Sequence, residues 1–144
     1  MKNILAFVLL GAFLSACNSK QSNQETVSEV PTFVDPASAP VMSFEKETYD
    51  FGIINEGQSV VYDFEFKNTG KGPLLIGNAT ASCGCTVPEY PKEPILPGQK
   101  GTIHVVFNST GKPGMQNKVV TLNVNTVSGT QQLYLTGNVI PKNK

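Results

Sequence analysis

From residue 41 onward, apolar and polar residues alternate in steps of two. "SVVYDFEFKN" (59–68) sets Val60, Tyr62, Phe64 and Phe66 on one face and Val61, Asp63, Glu65 and Lys67 on the other. Successive side chains of a strand point to opposite faces, so this pattern predicts a strand with one face buried. "GTIHVVFN" (101–108) repeats it, with Ile103, Val105 and Phe107 inward and Thr102, His104 and Val106 outward. "KVVTLNVNT" (118–126) turns Val120, Leu122 and Val124 inward. "QQLYLTGNV" (131–139) puts Leu133, Leu135 and Val139 on one side and Tyr134, Thr136 and Asn138 on the other. Shorter candidate strands are 41–45, 48–51 and 74–81, and no long segment carries a helical period.

Turn chemistry separates these runs. "NEGQ" (55–58), "NTGKGP" (68–73), "LPGQKG" (96–101) and "NSTGKPGMQN" (108–117) are loaded with Gly, Pro and Asn. Ser128-Gly129 reads as a tight hairpin turn. Short strands with frequent turns over residues 41–140 predict an all-β fold, an immunoglobulin-like antiparallel β-sandwich of about seven strands. A small barrel is the alternative. An antibody domain joins its sheets with two cysteines far apart in sequence and packs a tryptophan on them. This chain has no tryptophan, so cohesion must come from its Phe, Val, Leu and Ile faces.

The first 40 residues follow other rules. Lys2 precedes a short apolar run from Ile4 to Leu14, too short for the roughly 20 residues that span a bilayer. Leu14-Ser15-Ala16-Cys17 then resembles the lipobox of bacterial lipoproteins. The resemblance implies a signal peptide over 1–16, cleavage before Cys17, and acyl chains such as palmitate on Cys17. A single acyl chain binds a membrane only marginally, with a constant on the order of 10⁴ M⁻¹, so anchoring through more than one is effectively permanent. Residues 17–40 read as the lipidated N-terminus and a flexible linker, rich in Ser, Gln, Asn and Pro, spanning roughly 25–30 Å as a coil. Val30, Phe33 and Val34 are apolar exceptions suited to docking on the domain edge. Residues 141–144 are a tail.

Charge excludes one class of partner. The 144 residues carry a formal net charge of +0, and all 11 basic residues are lysines. Without a basic field or an arginine to fork onto phosphates, no nucleic acid is expected. No cofactor and no metal are expected either. A single histidine with no nucleophile motif around it gives no hydrolytic triad. Glu89 and Glu93 flank a proline-rich stretch that reads as a solvated loop rather than a pair of glycosidase acids.

The remaining chemistry lies in "SCGCT" (82–86). Cys83 and Cys85 would stand about 6.6 Å apart at Cα in an ideal strand, the far limit of the roughly 4.4–6.8 Å that a disulfide spans. Gly84, free to adopt angles closed to other residues, can fold the pair into a tight turn. Closing so short a loop is worth about 1.6 kcal/mol by loop entropy. Three readings stand: small side chains filling a crowded corner, a redox-active pair, or a Cu(I) site with Met115 or His104 as further ligands. The residues adjacent in sequence supply no positive charge to activate a thiol.

Asp50-Phe51-Gly52, Phe66-Lys67-Asn68-Thr69-Gly70, Ser82-Cys83-Gly84-Cys85-Thr86, Pro97-Gly98 and Phe107-Asn108 occur in that order. Through them the stretch 44–139 resembles the bacterial family known as domain of unknown function 1573. The resemblance implies an immunoglobulin-like module, similar to cilia-associated and major-sperm-protein domains, often carried by lipoproteins. It implies no activity. The expected protein is a non-enzymatic, lipid-anchored scaffold or protein-interaction module of the bacterial cell envelope, at the outer membrane, with a protein partner. An envelope thiol protein using Cys83 and Cys85 is the alternative. The expected binding face comprises residues 82–94 and 108–117, together with open strand edges.

Overall fold

The computed structural model describes residues 35–142. The signal peptide, Cys17, and Val30, Phe33 and Val34 of the linker lie outside the described residues. Eight strands follow one another: β1 (Met42–Phe44), β2 (Thr48–Asn55), β3 (Ser59–Asn68), β4 (Ile76–Ala81), β5 (Thr86–Glu89), β6 (Lys100–Asn108), β7 (Gly114–Val124) and β8 (Thr130–Ile140). They form two four-stranded sheets, in the orders β1-β3-β6-β5 and β2-β8-β7-β4. The fold is an all-β, immunoglobulin-like sandwich. Among the described residues no helix is long and apolar enough to cross a membrane.

The two-residue rhythm builds the core. Phe64, Phe66, Ile103, Val105, Phe107, Val120, Leu122, Leu133 and Leu135 are all buried between the sheets. Each such side chain withdrawn from water contributes about 1.5–3 kcal/mol before entropy is counted. Tyr49 of β2 stacks on Tyr62 of β3 with ring centroids 3.7 Å apart, and Tyr62 meets Phe64 edge-on at 4.7 Å. These aromatics pack against the core between the sheets.

Four local features depart from the sequence reading. β5 forms inside a stretch read as loop. It has one turn of alternation and a proline, and it survives because an edge strand need not supply every N–H. β2 runs to Asn55, past a bulge between Asp50 and Ile53 where Gly52 takes φ 69°. β7 starts at Gly114, because Gly114, Met115 and Gln116 pair with Val139, Asn138 and Gly137. Ser128-Gly129 is part of a longer loop, closed by Val124 N–H donating to Gly129 O and Gly129 N–H donating to Thr126 O. One pairing is also parallel: β2 lies beside β8. This is possible because the whole of β3 to β7 intervenes and supplies the crossover that parallel neighbours need.

The strand edges are blunted. β1 has three residues, β5 has four including Pro88, and β2 carries the bulge. On β4, the Tyr90 hydroxyl donates to Gly77 O at 3.3 Å, with Lys92 Nζ 3.4 Å over the Tyr90 ring. Short strands, proline, bulges and a covering lysine are the devices that stop an edge from recruiting another strand. The expected edge-to-edge docking therefore has no long, flat edge to use among the described residues.

The sandwich has two unlike ends. The chain enters at one, where Lys71 N–H donates to Ala39 O and Thr69 N–H to Val41 O, and Ala39 is buried. Loops 69–75, 96–99 and 125–129 share that end. The loops at 56–58, 82–85 and 109–113 occupy the opposite one. Between them lies about 30 Å, the length of a ten-residue strand such as β3.

Candidate functional site

The end remote from chain entry is held by specific hydrogen bonds. Ser109, fully buried, donates its hydroxyl to Gln58 O at 2.7 Å and accepts from Gly57 N–H at 3.0 Å. The Glu56 carboxylate accepts from Gly111 N–H at 2.9 Å and from Lys142 N–H at 3.1 Å. Asn108 N–H donates to Cys85 O at 2.9 Å, which draws the 82–85 corner against the start of the 109–113 loop. Of the expected binding face, 82–85 and 109–113 thus come together, whereas 86–89 and 114–117 are built into strands. Loop 56–58 is a third component that the sequence reading missed. Large apolar side chains stand exposed beside these loops: Ile53 at 69%, Met115 at 80% and Ile140 at 46%. Register explains their proximity, since Asn138 of β8 pairs with Ile53 on one side and Met115 on the other, and Asn55 pairs with Ile140.

Cys83 and Cys85 are joined by a disulfide, with Cα atoms 5.3 Å apart. The bridge sits where the chain changes sheets. Ser82 N–H still donates to Val119 O of β7, while Cys85 O already accepts from Asn108 at the end of β6. Thr86 N–H donates to Cys83 O at 3.2 Å and closes the turn. Gly84 behaves differently from the sequence expectation. Its φ is not positive, it is exposed, and a Cβ added to it would meet nothing within 4 Å. The bend comes from the change of hydrogen-bond partners, not from glycine's special angles. The buried Thr86 places its hydroxyl 3.7 Å from Cys83 Sγ and 4.0 Å from Cys85 Sγ. Cys85 also packs against the core.

Tertiary structure brings a cation to this corner. β4 pairs antiparallel with β7, Ala81 opposite Val120. Ser82 continues the ladder against Val119, accepting its N–H on Oγ at 3.2 Å as well as donating to its carbonyl. Cys83 and Lys118 are the next residues along the two chains from that contact. Lys118 occupies an inward position of β7, between the buried Gln116 and Val120, with Nζ 5.5 Å from the centre of the Phe107 ring. Burial first, and the neighbouring Lys112 second, hold the Lys118 ammonium below its usual pKa. The Ser82–Val119 contact that brings Lys118 near the cysteines depends on strand register, so the sequence neighbours of the cysteines gave no sign of it.

The other candidates are dispersed. His104 lies on the outer face of the β6 sheet, its Nδ1 hydrogen-bonded to Asp63 of β3. Met115 is on the outer face of the other sheet. Neither is brought to the cysteines, whose sulfurs are bonded to each other, so the Cu(I) ligand set is not assembled. Among the described residues no group of three or more His, Cys, Asp or Glu side chains is placed to hold a metal ion. Glu89 faces His104 in register from β5, and Glu93 lies beyond the strand.

The remaining sequence landmarks serve the fold. Asn68 is fully buried. Its amide donates to Gly72 O and Ile95 O, both at 2.8 Å, and its carbonyl oxygen accepts from Gly70 N–H at 3.0 Å and Val41 N–H at 3.3 Å. Asp50 caps its own bulge by accepting from Gly52 N–H at 2.8 Å. Gly98, at φ 81°, donates to Asn68 O at 2.7 Å.

Solved structures share the architecture at low identity. A protein of unknown function from Porphyromonas gingivalis superposes with a TM-score of 0.64 at 15% identity, over 73% of this chain and 49% of its own. A PapD-like domain of human CEP192 gives 0.58 at 10% identity, over 83% of this chain and 99% of its own. The secreted serine protease VesC of Vibrio cholerae gives 0.54 at 15% identity, over 68% of this chain but 23% of its own. The chain thus spans about half of the Porphyromonas gingivalis protein and under a quarter of VesC. At these identities the likeness is one of fold. No curated protein matches the chain. The family described as protein of unknown function (DUF1573) matches residues 42–139, most of the chain and nearly the whole sandwich, and the chain belongs to that family.

Proposed function

We propose that this chain is a non-catalytic interaction module, held to a membrane of the bacterial envelope by acylated Cys17, that presents its loop end to a protein partner. The fold is that of PapD-like and immunoglobulin-like domains, which is compatible with such a role. One observation carries the reading. The described chain enters at one end of the sandwich, whereas Ile53, Met115 and Ile140 stand exposed at the other. A domain tethered by its N-terminus would turn that end away from the bilayer. Exposed apolar side chains beside loops fixed by hydrogen bonds suit a partner surface, since little order has to be gained on binding. The lipobox-like Leu14-Ser15-Ala16-Cys17 supports the anchor.

The test uses the full chain, tagged at its C-terminus and expressed in a bacterial host. Cys17→Ser is expected to move it from the membrane fraction to the soluble one. A paired Ile53→Asp, Met115→Asp variant is expected to lose a protein captured by the wild type while unfolding at the same urea concentration. Retention of the Cys17→Ser chain in membranes would remove the anchor. Equal capture by the Asp variant would remove the loop-end surface.

A further inference from the structure

The corner between β4 and β5 holds more chemistry than a structural staple requires. Three kinds of group lie at or next to it: a half-buried disulfide next to an exposed glycine, the Thr86 hydroxyl within reach of both sulfurs, and Lys118, the neighbour of the Val119 that bonds Ser82. A staple across three residues constrains the unfolded chain little. It also joins residues that Ser82 and Asn108 already fix by backbone hydrogen bonds to opposite sheets. Lys118 is partly withdrawn from water, and among the described residues no acid forms an ion pair with it. The groups shown around it are Phe107 of β6, Leu135 of β8 and Lys112 of the loop before β7, with the disulfide starting one residue past the Ser82–Val119 contact. Of these only Lys112 carries a charge in the disulfide form, and it is of the same sign. A thiolate at Cys83 would supply the missing counter-charge.

We propose that Cys83–Cys85 is an exchange-competent disulfide that oxidises a pair of thiols on a protein or peptide, with Cys83 the sulfur attacked and Lys118 the residue that stabilises its thiolate. Cys85 packs against the core, whereas Cys83 stands at the outgoing end of the ladder, so the approach favours Cys83. A substrate thiolate attacks Cys83 Sγ and forms a mixed disulfide. The Cys83–Cys85 bond breaks, and its electron pair leaves on Cys85 Sγ, toward which the Thr86 hydroxyl can donate. The second substrate thiolate attacks the substrate sulfur of the mixed disulfide. A substrate disulfide forms, and Cys83 leaves as a thiolate stabilised by Lys118. Two thiolates are oxidised, one protein disulfide is reduced, and the cysteine thiolates take protons from water according to their pKa. Lys118 is thus a positioning residue that acts on the leaving group. This proposal does not depend on the interaction reading above.

The test follows the reduced full chain by iodoacetamide alkylation across pH, with mass spectrometry resolving Cys83 from Cys85 and leaving Cys17 out of the reading. Cys83 is expected to alkylate first, with a midpoint below the roughly 8.5 of an ordinary thiol. Lys118→Gln should raise that midpoint and slow alkylation at pH 7 about tenfold, the effect of one unit. Lys118→Arg should restore both. The oxidised chain should convert one equivalent of a reduced two-cysteine peptide to its disulfide. A wild-type Cys83 midpoint at the ordinary value would overturn the proposal whether or not the Gln variant folds. So would a two-cysteine peptide left reduced by the oxidised chain.

Discussion

Asn68 shows how one side chain can hold several loops. It sits at the end of β3, and its amide reaches the backbones of 41, 70, 72 and 95. Removing it takes a partner from Gly72 O, Gly70 N–H and Val41 N–H in part-buried positions and from the buried Ile95 O, which keeps only the Leu74 N–H. Asn68→Ala is therefore expected to cost roughly 2–5 kcal/mol, seen as a lower urea midpoint with unchanged slope. Asn125 makes a smaller version of the same device, accepting from Leu75 N–H at 2.7 Å and donating to Pro73 O at 3.0 Å. Neither role could be read from the sequence, where asparagine in a Gly-rich stretch signals only a turn. What the alternation did give was each inward position of β3 and β6, because burial of one sheet face is written directly into the period of two.

At the scale of elements, the strands were legible and their meetings were not. β2 and β8 lie side by side although 82 residues apart at Thr48 and Thr130, and their contact is adjusted by glycine. Gly137 of β8 lies beneath the Phe51 ring, and a Cβ there would overlap the ring edge and crowd Gly52 O at 2.7 Å. Gly137→Ala should cost about 1–3 kcal/mol, and Phe51→Leu in the same chain should recover part of that loss in a double-mutant cycle. Gly84 gives the contrast. Its surroundings are open and its φ is not positive, so Gly84→Ala should change stability by no more than about 0.5 kcal/mol. Free-thiol titration of that variant should still find Cys83 and Cys85 bonded. The glycine between the cysteines invited the opposite conclusion, because a change of sheet leaves no mark of its own in sequence.

For the whole molecule, the open end of the sandwich carries a cost that pH can reveal. The folded state holds Lys118 below its unfolded value of 10.5. Between those two values the unfolded chain binds more protons than the folded one, so stability rises with pH across the window. Below it the charged amine is a standing penalty. Replacing the ammonium with an apolar group of similar length removes both effects. Lys118→Met is expected to stabilise the fold at neutral pH, and the advantage should shrink as pH climbs toward 10.5, read by urea unfolding of both chains at each pH. A wild-type chain that gained nothing on Lys118→Met over that range would show the amine to be well solvated.

The sequence by itself determined the class of fold, the residues of the core and the positions of most turns, since hydrophobic periodicity and backbone conformational limits act over a few residues. It also carried the lipobox-like Leu14-Ser15-Ala16-Cys17, a local signal of the same kind. Tertiary structure alone decided the parallel β2–β8 contact, the blunting of the edges, the grouping of loops 56–58, 82–85 and 109–113 at the end away from chain entry, and the Ser82–Val119 contact that brings Lys118 toward the cysteines. Each of these is a matter of register between distant strands. Register is settled by how two buried faces fit together, which no single stretch of the chain contains.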